Sequence, residues 1–169
     1  MKFKLWPVTL ALTLITAVYG FDVVPWRLAV NRTESLPLGL YFANRNVSNI
    51  GKGQLICFVY REPNWARGRY LPSGSHICKE VLGVPGDIIT ARGLSLFAQH
   101  GAETTYLGDM READSAGRPV PLPNWSHVVI PPGSYYLGST RSPKSFDSRY
   151  LGLVTTTEIA ERIYPLIVF

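Results

Sequence analysis

The chain has 169 residues, enough for about one domain with a sizeable core. Its composition, 46% hydrophobic, 12% aromatic and 17% charged, disfavours a disordered, collagen-like or coiled-coil protein. The net charge of +5 comes from lysines and arginines scattered along the sequence, without the basic runs typical of nucleic-acid binding. We therefore expect no nucleic-acid partner, and a weakly basic face near anionic lipid headgroups explains the charge at least as well.

An uncharged segment near the N-terminus predicts export. Residues 5–21 carry no charge and follow two lysines, and apolar residues up to Trp26 extend the segment past one aspartate, so it approaches the roughly 20 residues of a membrane-spanning helix. Lysines before such a helix place the N-terminus in the cytoplasm and the following chain outside. A cleaved secretory signal is the alternative, although its usual Ala-x-Ala site is missing. We expect residues 1–26 to be a cytoplasmic stub and membrane anchor and residues 27–169 to be an extracytoplasmic domain.

Short apolar segments predict the secondary structure of that domain. They are rich in β-branched and aromatic residues and are bounded by Gly, Pro or Asn, as strands are. The predicted strand segments are residues 55–60, 76–84, 88–98, 127–131 and 134–138. The 15 glycines and 13 prolines also favour turns and short strands over a helix bundle. The expected fold class is therefore mainly β, a barrel or a sandwich.

Two further regions complete the predicted domain. Residues 101–125 are polar, with Gly, Pro and Asp throughout, and we expect them to form an excursion on the surface. Thr155 and Glu158 have the spacing of a capping box that starts one short helical turn. Residues 161–169 are then predicted to form an edge strand, because Pro165 cannot donate a hydrogen bond to a strand ladder.

Cys57 and Cys78 flank a loop rich in Pro, Gly and Arg, and each lies inside an apolar segment. A disulfide between them would restrain this loop and stabilise the folded state by about 3 kcal/mol in the chain-entropy model. Two buried free thiols are the alternative. The even number of cysteines and the oxidising compartment favour the disulfide. Two cysteines are too few for a four-cysteine zinc site, and we expect neither a metal nor a cofactor.

The first motif is a serine on a candidate rigid loop, in the segment NRTESLPLGLY at residues 31–41. Ser35 stands between polar residues and a Pro-x-Gly turn, which could present its hydroxyl in a fixed position. The loop lies shortly after the predicted membrane boundary, so it would sit near the lipid surface. A plain turn before a strand is the alternative interpretation.

The second motif is Lys79, which interrupts an apolar strand in the segment CKEVLGVPGD at residues 78–87. On an extended strand, Cys78 and Lys79 point to opposite faces. The lysine either extends its amine to solvent or is buried with a lowered pKa. To act as a base, its pKa would have to fall from about 10.4 to about 7–8, which burial can achieve.

The third motif is the polar segment RSPKSFDSRYLG at residues 141–152. Asp147 and Arg149 are two residues apart, so on a strand they would share a face and could form an ion pair. Ser145 would lie on the same face and could orient a lysine amine. The alternative is a solvent-exposed polar loop.

These three segments, in this order after one membrane anchor, resemble the type I (leader) signal peptidase family. The likeness is closest to its conjugative-transfer branch, the TraF-type peptidases that process pilin precursors, and it covers about residues 5–155. The resemblance implies a signal-peptidase-like β-barrel or sandwich with one N-terminal transmembrane helix. It also implies small residues before the cleaved bond and an extended substrate paired with a strand edge.

The resemblance assigns the reacting groups. It implies that Ser35 is the nucleophile and that Lys79 is its general base, a known variant of triad chemistry. Thr33 matches a family hydroxyl that forms the oxyanion hole together with the backbone N–H of Ser35.

The resemblance also assigns three supporting residues. Ser145 matches the serine that holds the lysine amine, and Asp147 and Arg149 match the pair that braces the site. Departures from the family pattern include residues 138–140, which read Gly-Ser-Thr where Gly-Asp-Asn is usual, and Glu80, which replaces a basic residue.

The function expected from the sequence is that of a membrane-anchored serine endopeptidase at the cytoplasmic membrane, with its catalytic domain in the periplasm or outside. Its partners would be the lipid bilayer and a leader-bearing precursor, such as a conjugative pilin. Some members of the branch pass the acyl group to the substrate's own amine, so both hydrolysis and cyclisation fit. The alternative function is a non-catalytic, anchored assembly subunit of a pilus or secretion apparatus.

Overall fold

The structure, a computed structural model, describes residues 25–169. The predicted anchor therefore lies outside the described residues except for its last two positions, and so does the choice between an anchor and a cleaved signal. From residue 25 to the C-terminus, no helix has both the length and the apolar character needed to cross a bilayer.

Strands dominate the described part of the chain. In chain order they are β1 (Trp26–Asn31), β2 (Gly39–Asn44), β3 (Leu55–Val59), β4 (His76–Gly83), β5 (Ile88–Arg92), β6 (Ser95–His100), β7 (Glu103–Asp109), β8 (Val128–Val129), β9 (Ser134–Gly138), β10 (Val154–Thr155) and β11 (Ile159–Val168). Within residues 25–169, the helical elements are one short α-helix and two 3₁₀ turns: α1 (Ser148–Leu151), Asn64–Ala66 and Thr156–Glu158.

The strands form two antiparallel sheets. A seven-stranded sheet has the order β1-β2-β11-β3-β4-β9-β10, and a four-stranded sheet has the order β7-β6-β5-β8. One buried cluster joins the two sheets, because Leu82 and Tyr136 of the larger sheet pack with Ile89 and Leu107 of the smaller one. The prediction of a mainly β fold is confirmed, and the segment predicted at 88–98 is the β5–β6 hairpin.

One predicted surface region belongs partly to the core. Residues 101–125 contain β7, which pairs with β6 at the edge of the four-stranded sheet. Leu107 and Trp125 are buried in the cluster that joins the sheets. The expectation of a surface excursion was wrong here, because a few apolar side chains point inward from a segment whose other residues are polar.

The prediction that the last strand lies at the edge of a sheet was wrong. β11 is not an edge strand, since it lies between β2 and β3. It pairs with β3 only over Ile159–Ile163. Pro165 lies beyond that stretch, where β11 pairs with β2 alone and the register shifts, so its missing N–H costs no bond to β3. The capping box is confirmed, because the Glu158 carboxylate accepts the backbone N–H of Thr155 at 2.8 Å.

Candidate active site

The loop that carries Ser35 connects β1 to β2, and the Asn31 side chain makes several of the hydrogen bonds that hold it. The Nδ2 amide of Asn31 donates to the carbonyl oxygens of Thr33, Leu36 and Pro37 at 2.9, 3.0 and 2.9 Å. Ser35 itself is 7% exposed. The sequence did not single out Asn31, although an amide at the end of a strand often organises the turn that follows. These bonds fix the loop and aim the serine inward.

The Pro-x-Gly turn brings this loop against the sheet. Gly39 opens β2 with φ +149°, and a Cβ there would collide with the backbone carbonyl of Ile167 on β11. Tyr41, two residues further along β2, donates its hydroxyl to the Pro37 carbonyl at 2.7 Å. Glycine is therefore required at this position by close backbone approach as well as by its dihedral angle.

Lys79 meets Ser35 across the molecule. Its Nζ lies 2.7 Å from the Ser35 Oγ, and the two residues are 44 positions apart in the sequence. The lysine is 5% exposed, on the face of β4 that also buries Ile77 and Val81. Of the two interpretations left open by the sequence, the structure has the buried amine.

Burial changes the acidity of this amine. Removal from water lowers the Lys79 pKa from 10.5 to about 8, while the nearby Asp147 carboxylate raises it and the Arg149 guanidinium lowers it. Desolvation is the largest of these effects and sets the direction. A large fraction of such an amine is neutral near pH 8 and can accept a proton from a hydroxyl in contact with it.

Thr33 places a second hydroxyl beside the first. Its Oγ1 lies 3.3 Å from the Ser35 Oγ. The same hydroxyl donates to the Asn31 Oδ1 at 2.8 Å, and the Thr33 residue is exposed to solvent. To donate to a developing oxyanion, the hydroxyl would have to turn away from Asn31.

Asp147 and Arg149 form a buried ion pair, but not on a strand. Asp147 is the N-cap of α1, and its Oδ1 accepts the backbone N–H of Arg149 at 3.2 Å. The guanidinium donates to both carboxylate oxygens, from Nε at 2.9 Å and from Nη2 at 2.8 Å. The residues are 0% and 1% exposed. The predicted pairing is present, although the segment is the start of a helix and not the strand considered for it, because an N-cap also brings residues i and i+2 together.

Ser139 links this pair to the serine loop and was not predicted as a site residue. Its Oγ donates to the backbone carbonyl of Ser35 at 2.6 Å, and its backbone N–H donates to the Asp147 Oδ2 at 3.3 Å. Ser139 is 2% exposed. The sequence offered one signal, since this serine lies in the Gly-Ser-Thr triplet that departs from the family pattern.

The hydroxyl of Ser145 lies beside the site without joining its hydrogen bonds. Its Oγ is buried and has no hydrogen-bond partner among residues 25–169. Its backbone carbonyl accepts from the Arg149 Nη2 at 3.0 Å. The role of holding the lysine amine therefore stays a prediction for this residue.

The structure joins Cys57 and Cys78 by a disulfide. The two cysteines are direct partners in the β3–β4 ladder. Cys78 precedes Lys79 and lines the same cleft as Ser35 and the lysine. The bridge therefore ties β4, which carries the general-base candidate Lys79, to β3, which carries Cys57.

A cleft of about 720 Å³ opens onto the serine and the lysine. Apolar side chains of several strands line it, among them Ala29, Ile77 and Ile163. At another point of its lining, the buried Glu161 carboxylate accepts the Nε of Arg27 at 3.0 Å. A buried hydroxyl in contact with a buried amine, at a partly apolar cleft on a β domain, forms a site suited to peptide-bond chemistry.

Comparison with known proteins agrees with this class. Residues 3–166 match the model of the family described as signal peptidase, peptidase S26, and the chain belongs to this family. Two plasmid transfer proteins TraF from Escherichia coli are similar: one is 28% identical over 153 residues and the other 26% identical over 148 residues. In both cases the match covers 82% of this chain and 81% of the relative. The resemblance to TraF-type signal peptidases is confirmed.

A solved structure gives a more distant likeness. Signal peptidase I from Enterococcus faecalis V583 is 17% identical, with a TM-score of 0.39 over 70% of this chain and 100% of that chain. Family membership makes the protein a peptidase, and it supports leader-peptidase-like activity on precursor proteins.

Proposed function

We propose that this protein is a membrane-anchored serine endopeptidase that uses Ser35 and Lys79 to remove leader peptides from exported precursors. The observation that carries the proposal is the 2.7 Å contact between the Lys79 Nζ and the Ser35 Oγ. Both side chains are buried, and the lysine pKa is lowered to about 8. This combination supplies a hydroxyl with an adjacent base that is partly neutral at physiological pH.

In the proposed reaction, the neutral Lys79 amine takes the Ser35 proton as Oγ bonds to the scissile carbonyl carbon. The negative charge that develops on the carbonyl oxygen is stabilised by the Ser35 N–H and by the Thr33 hydroxyl. The lysine ammonium then gives its proton to the leaving amine as the C–N bond breaks. The resulting ester is attacked by water, which Lys79 deprotonates, and the acid product and free Ser35 are released.

The surrounding residues position this pair. Ser139 holds the Ser35 carbonyl and is itself held by the Asp147 carboxylate. Arg149 fixes that carboxylate and reaches back to the Asp109 carbonyl at 3.0 Å. Because the Ser35 loop is held in place, the Ser35 hydroxyl keeps the orientation that attack on the scissile carbonyl requires.

Within residues 25–169, two strand segments near the cleft have an edge without a partner strand. β1 is the outermost strand of the larger sheet. β4 pairs with β9 only from Glu80 onward, so its residues 76–79 have one partner strand. An extended precursor segment could hydrogen-bond to such an edge, as the family resemblance implies.

An apolar outer surface supports the lipid partner. Trp26, Leu28 and Val30 on β1 are 52, 60 and 63% exposed, and Tyr164 and Leu166 on β11 are 43 and 54% exposed. This surface adjoins the point where the proposed anchor would enter the domain. A patch of this kind on a monomer is typical of an interaction surface, and the proposed location is the outer face of the cytoplasmic membrane.

We further propose a conjugative pilin precursor as the substrate, on the basis of the similarity to plasmid transfer proteins. The acyl-enzyme could be resolved by water or by the amine of the same substrate. The intact masses of the products separate these outcomes, because a cyclic product is lighter by one water than a hydrolysed one.

The proposal is tested by incubating detergent-solubilised full-length protein with a leader-bearing pilin precursor. Wild type and Ser126→Ala, a change at an exposed serine, should cut at one site, and Ser35→Ala and Lys79→Ala should be inactive. The rate should rise with pH and level off above about pH 8, following deprotonation of the lysine. Cutting by Ser35→Ala at the wild-type rate would refute the mechanism. Failure of wild type on a panel of precursors would favour the assembly-subunit alternative.

A further inference from the structure

A second pocket lies on the other side of the segment that borders the active-site cleft. It has a volume of about 400 Å³. Residues 144–146 line both the pocket and the cleft. A peptide chain that leaves the cleft over this segment therefore enters the pocket directly.

The floor of the pocket is aromatic. The Phe146 ring stacks on Tyr70 with 4.6 Å between ring centroids, and on Tyr150 with 6.3 Å between centroids. Phe146, Tyr70 and Tyr150 are all partly exposed, and Val120 completes the apolar lining. Such a floor suits an aromatic or aliphatic side chain.

The rim of the pocket carries a net positive charge. It holds three cations and one carboxylate, and the carboxylate is already paired, since the Arg118 Nε donates to the Asp114 Oδ2 at 2.8 Å. Arg111 and Lys144 are exposed, and neither forms a salt bridge with a carboxylate in the part of the chain that the structure describes. Two cations therefore remain available to an anionic ligand.

The loop around Asp114, which forms one wall of the pocket, is held by several hydrogen bonds. Asp114 accepts the backbone N–H groups of Ala116 and Arg118 at 2.9 and 3.0 Å, and the Tyr70 hydroxyl at 3.0 Å. Arg69 donates to the carbonyl of Pro119 at 3.1 Å, which ties this loop to the one that carries Tyr70. The pocket is therefore preformed, and binding would order little of its backbone.

We propose that this pocket binds a second stretch of the substrate peptide, in which a carboxylate lies next to an aromatic or aliphatic side chain. The carboxylate pairs with Arg111 and Lys144, and the apolar side chain packs on Phe146 and Tyr70. The inference rests on the proposed function for the idea that the ligand is a precursor, and it adds that the precursor is selected by an acidic, apolar segment outside the cleft.

The test measures binding to full-length Ser35→Ala protein in detergent, so that no cleavage is needed. The probes are fluorescein-labelled decapeptides of Gly and Ser with a central Glu-Phe-Ser-Glu-Phe, and the same peptides with Gln in place of Glu. Amidated peptides confine the carboxylates to side chains. A Gln peptide with a free C-terminus tests the chain terminus as the source of the carboxylate.

We expect the amidated Glu peptide to bind about fivefold more tightly than its Gln counterpart, the effect of two partly exposed ion pairs. Arg111→Gln with Lys144→Gln should abolish this preference, and both changes are at exposed positions that leave the core intact. Arg92→Gln removes an exposed arginine of β5 that does not line the pocket, and it should keep the preference. If the free C-terminus restores tight binding to the Gln peptide, the pocket takes a chain terminus.

A second measurement locates the bound peptide. A benzoylphenylalanine in place of the first Phe should crosslink to residues 111–120 or 144–150, as identified by mass spectrometry. Equal affinity of Glu and Gln peptides, a preference that survives the double substitution, or crosslinks elsewhere would each overturn the proposal. None of these readouts depends on Ser35 chemistry, whereas the cleavage test above depends on it, so the two proposals fail separately.

Discussion

Replacing Lys79 with methionine should abolish cleavage and at the same time make the protein more stable. Methionine has a similar length and fills the same apolar surroundings without a charge. The lysine is 5% exposed, so its ammonium form is kept in the folded state at a cost in free energy. The variant removes that cost together with the base.

The size of the effect follows from the pKa. The value in the folded state, about 8, lies below the ordinary value of 10.5, a difference of about 2.5 that corresponds to about 3 kcal/mol. The unfolded chain thus binds more protons between these two pH values, and wild-type stability rises with pH through that window. Below about pH 8 the full penalty applies. Loss of the hydrogen bond to Ser35 offsets about 1 kcal/mol, which leaves a net gain of about 2 kcal/mol at pH 7.

Urea denaturation of the full-length proteins in one detergent measures this gain. Lys79→Met should be more stable than wild type by about 2 kcal/mol at pH 7, and the difference should fall to about zero at pH 10. Lys144→Met removes an exposed lysine and should change stability by less than about 0.5 kcal/mol at both pH values.

Two results would refute this reasoning. A Lys79→Met protein that is less stable than wild type at pH 7 would mean that the ammonium is well solvated or strongly paired in the folded state. A stability difference that stays constant between pH 7 and pH 10 would mean that the lysine pKa is not lowered by folding.

Three further predictions concern the residues around the pair. Arg149→Ala leaves the buried Asp147 carboxylate without its partner and should destabilise the protein by about 3–5 kcal/mol in a denaturant titration; a change below about 1 kcal/mol would contradict the buried pair. Ser139→Ala removes the bond to the Ser35 carbonyl and should lower kcat about tenfold with the pH profile unchanged, whereas an unchanged kcat would remove its positioning role. Reduction of the disulfide, which spans 21 positions, should lower stability by about 3 kcal/mol, and an unaltered denaturation curve would contradict this.

The two residues of the proposed dyad could be singled out from the sequence because the proposed chemistry restricts residue type and order. A serine before a Pro-x-Gly turn and a lysine inside an apolar strand are each weak signals, and their combination in sequence order is specific. Whether Lys79 reaches solvent could not be predicted, because that depends on which face of β4 the rest of the chain covers. The contact with Ser35 joins residues 44 positions apart, and only the assembled sheet brings them together.

Local rules were less reliable where a long-range pairing decides the outcome. Pro165 predicted an edge strand, yet β11 lies inside the sheet. The proline is tolerated there because the pairing with β3 stops at Ile163, before the proline. The spacing of Asp147 and Arg149 fits one face of a strand and also the start of a helix, so it predicted their pairing and left their secondary structure open. Asn31 and Ser139 act through backbone carbonyls, which leave no pattern of side-chain types in the sequence.

The ion pair of Asp147 and Arg149 contributes more to the geometry of the site than to the pKa of Lys79. Asp147 raises the Lys79 pKa and Arg149 lowers it, and the two groups lie 2.8 Å apart. Because they act as a short dipole, their effects on the lysine oppose each other, and burial sets the final value. The pair holds a carboxylate oxygen in place for the Ser139 N–H, and Ser139 in turn holds the Ser35 carbonyl. The pKa of Lys79 and the orientation of Ser35 are thus controlled by separate parts of the structure.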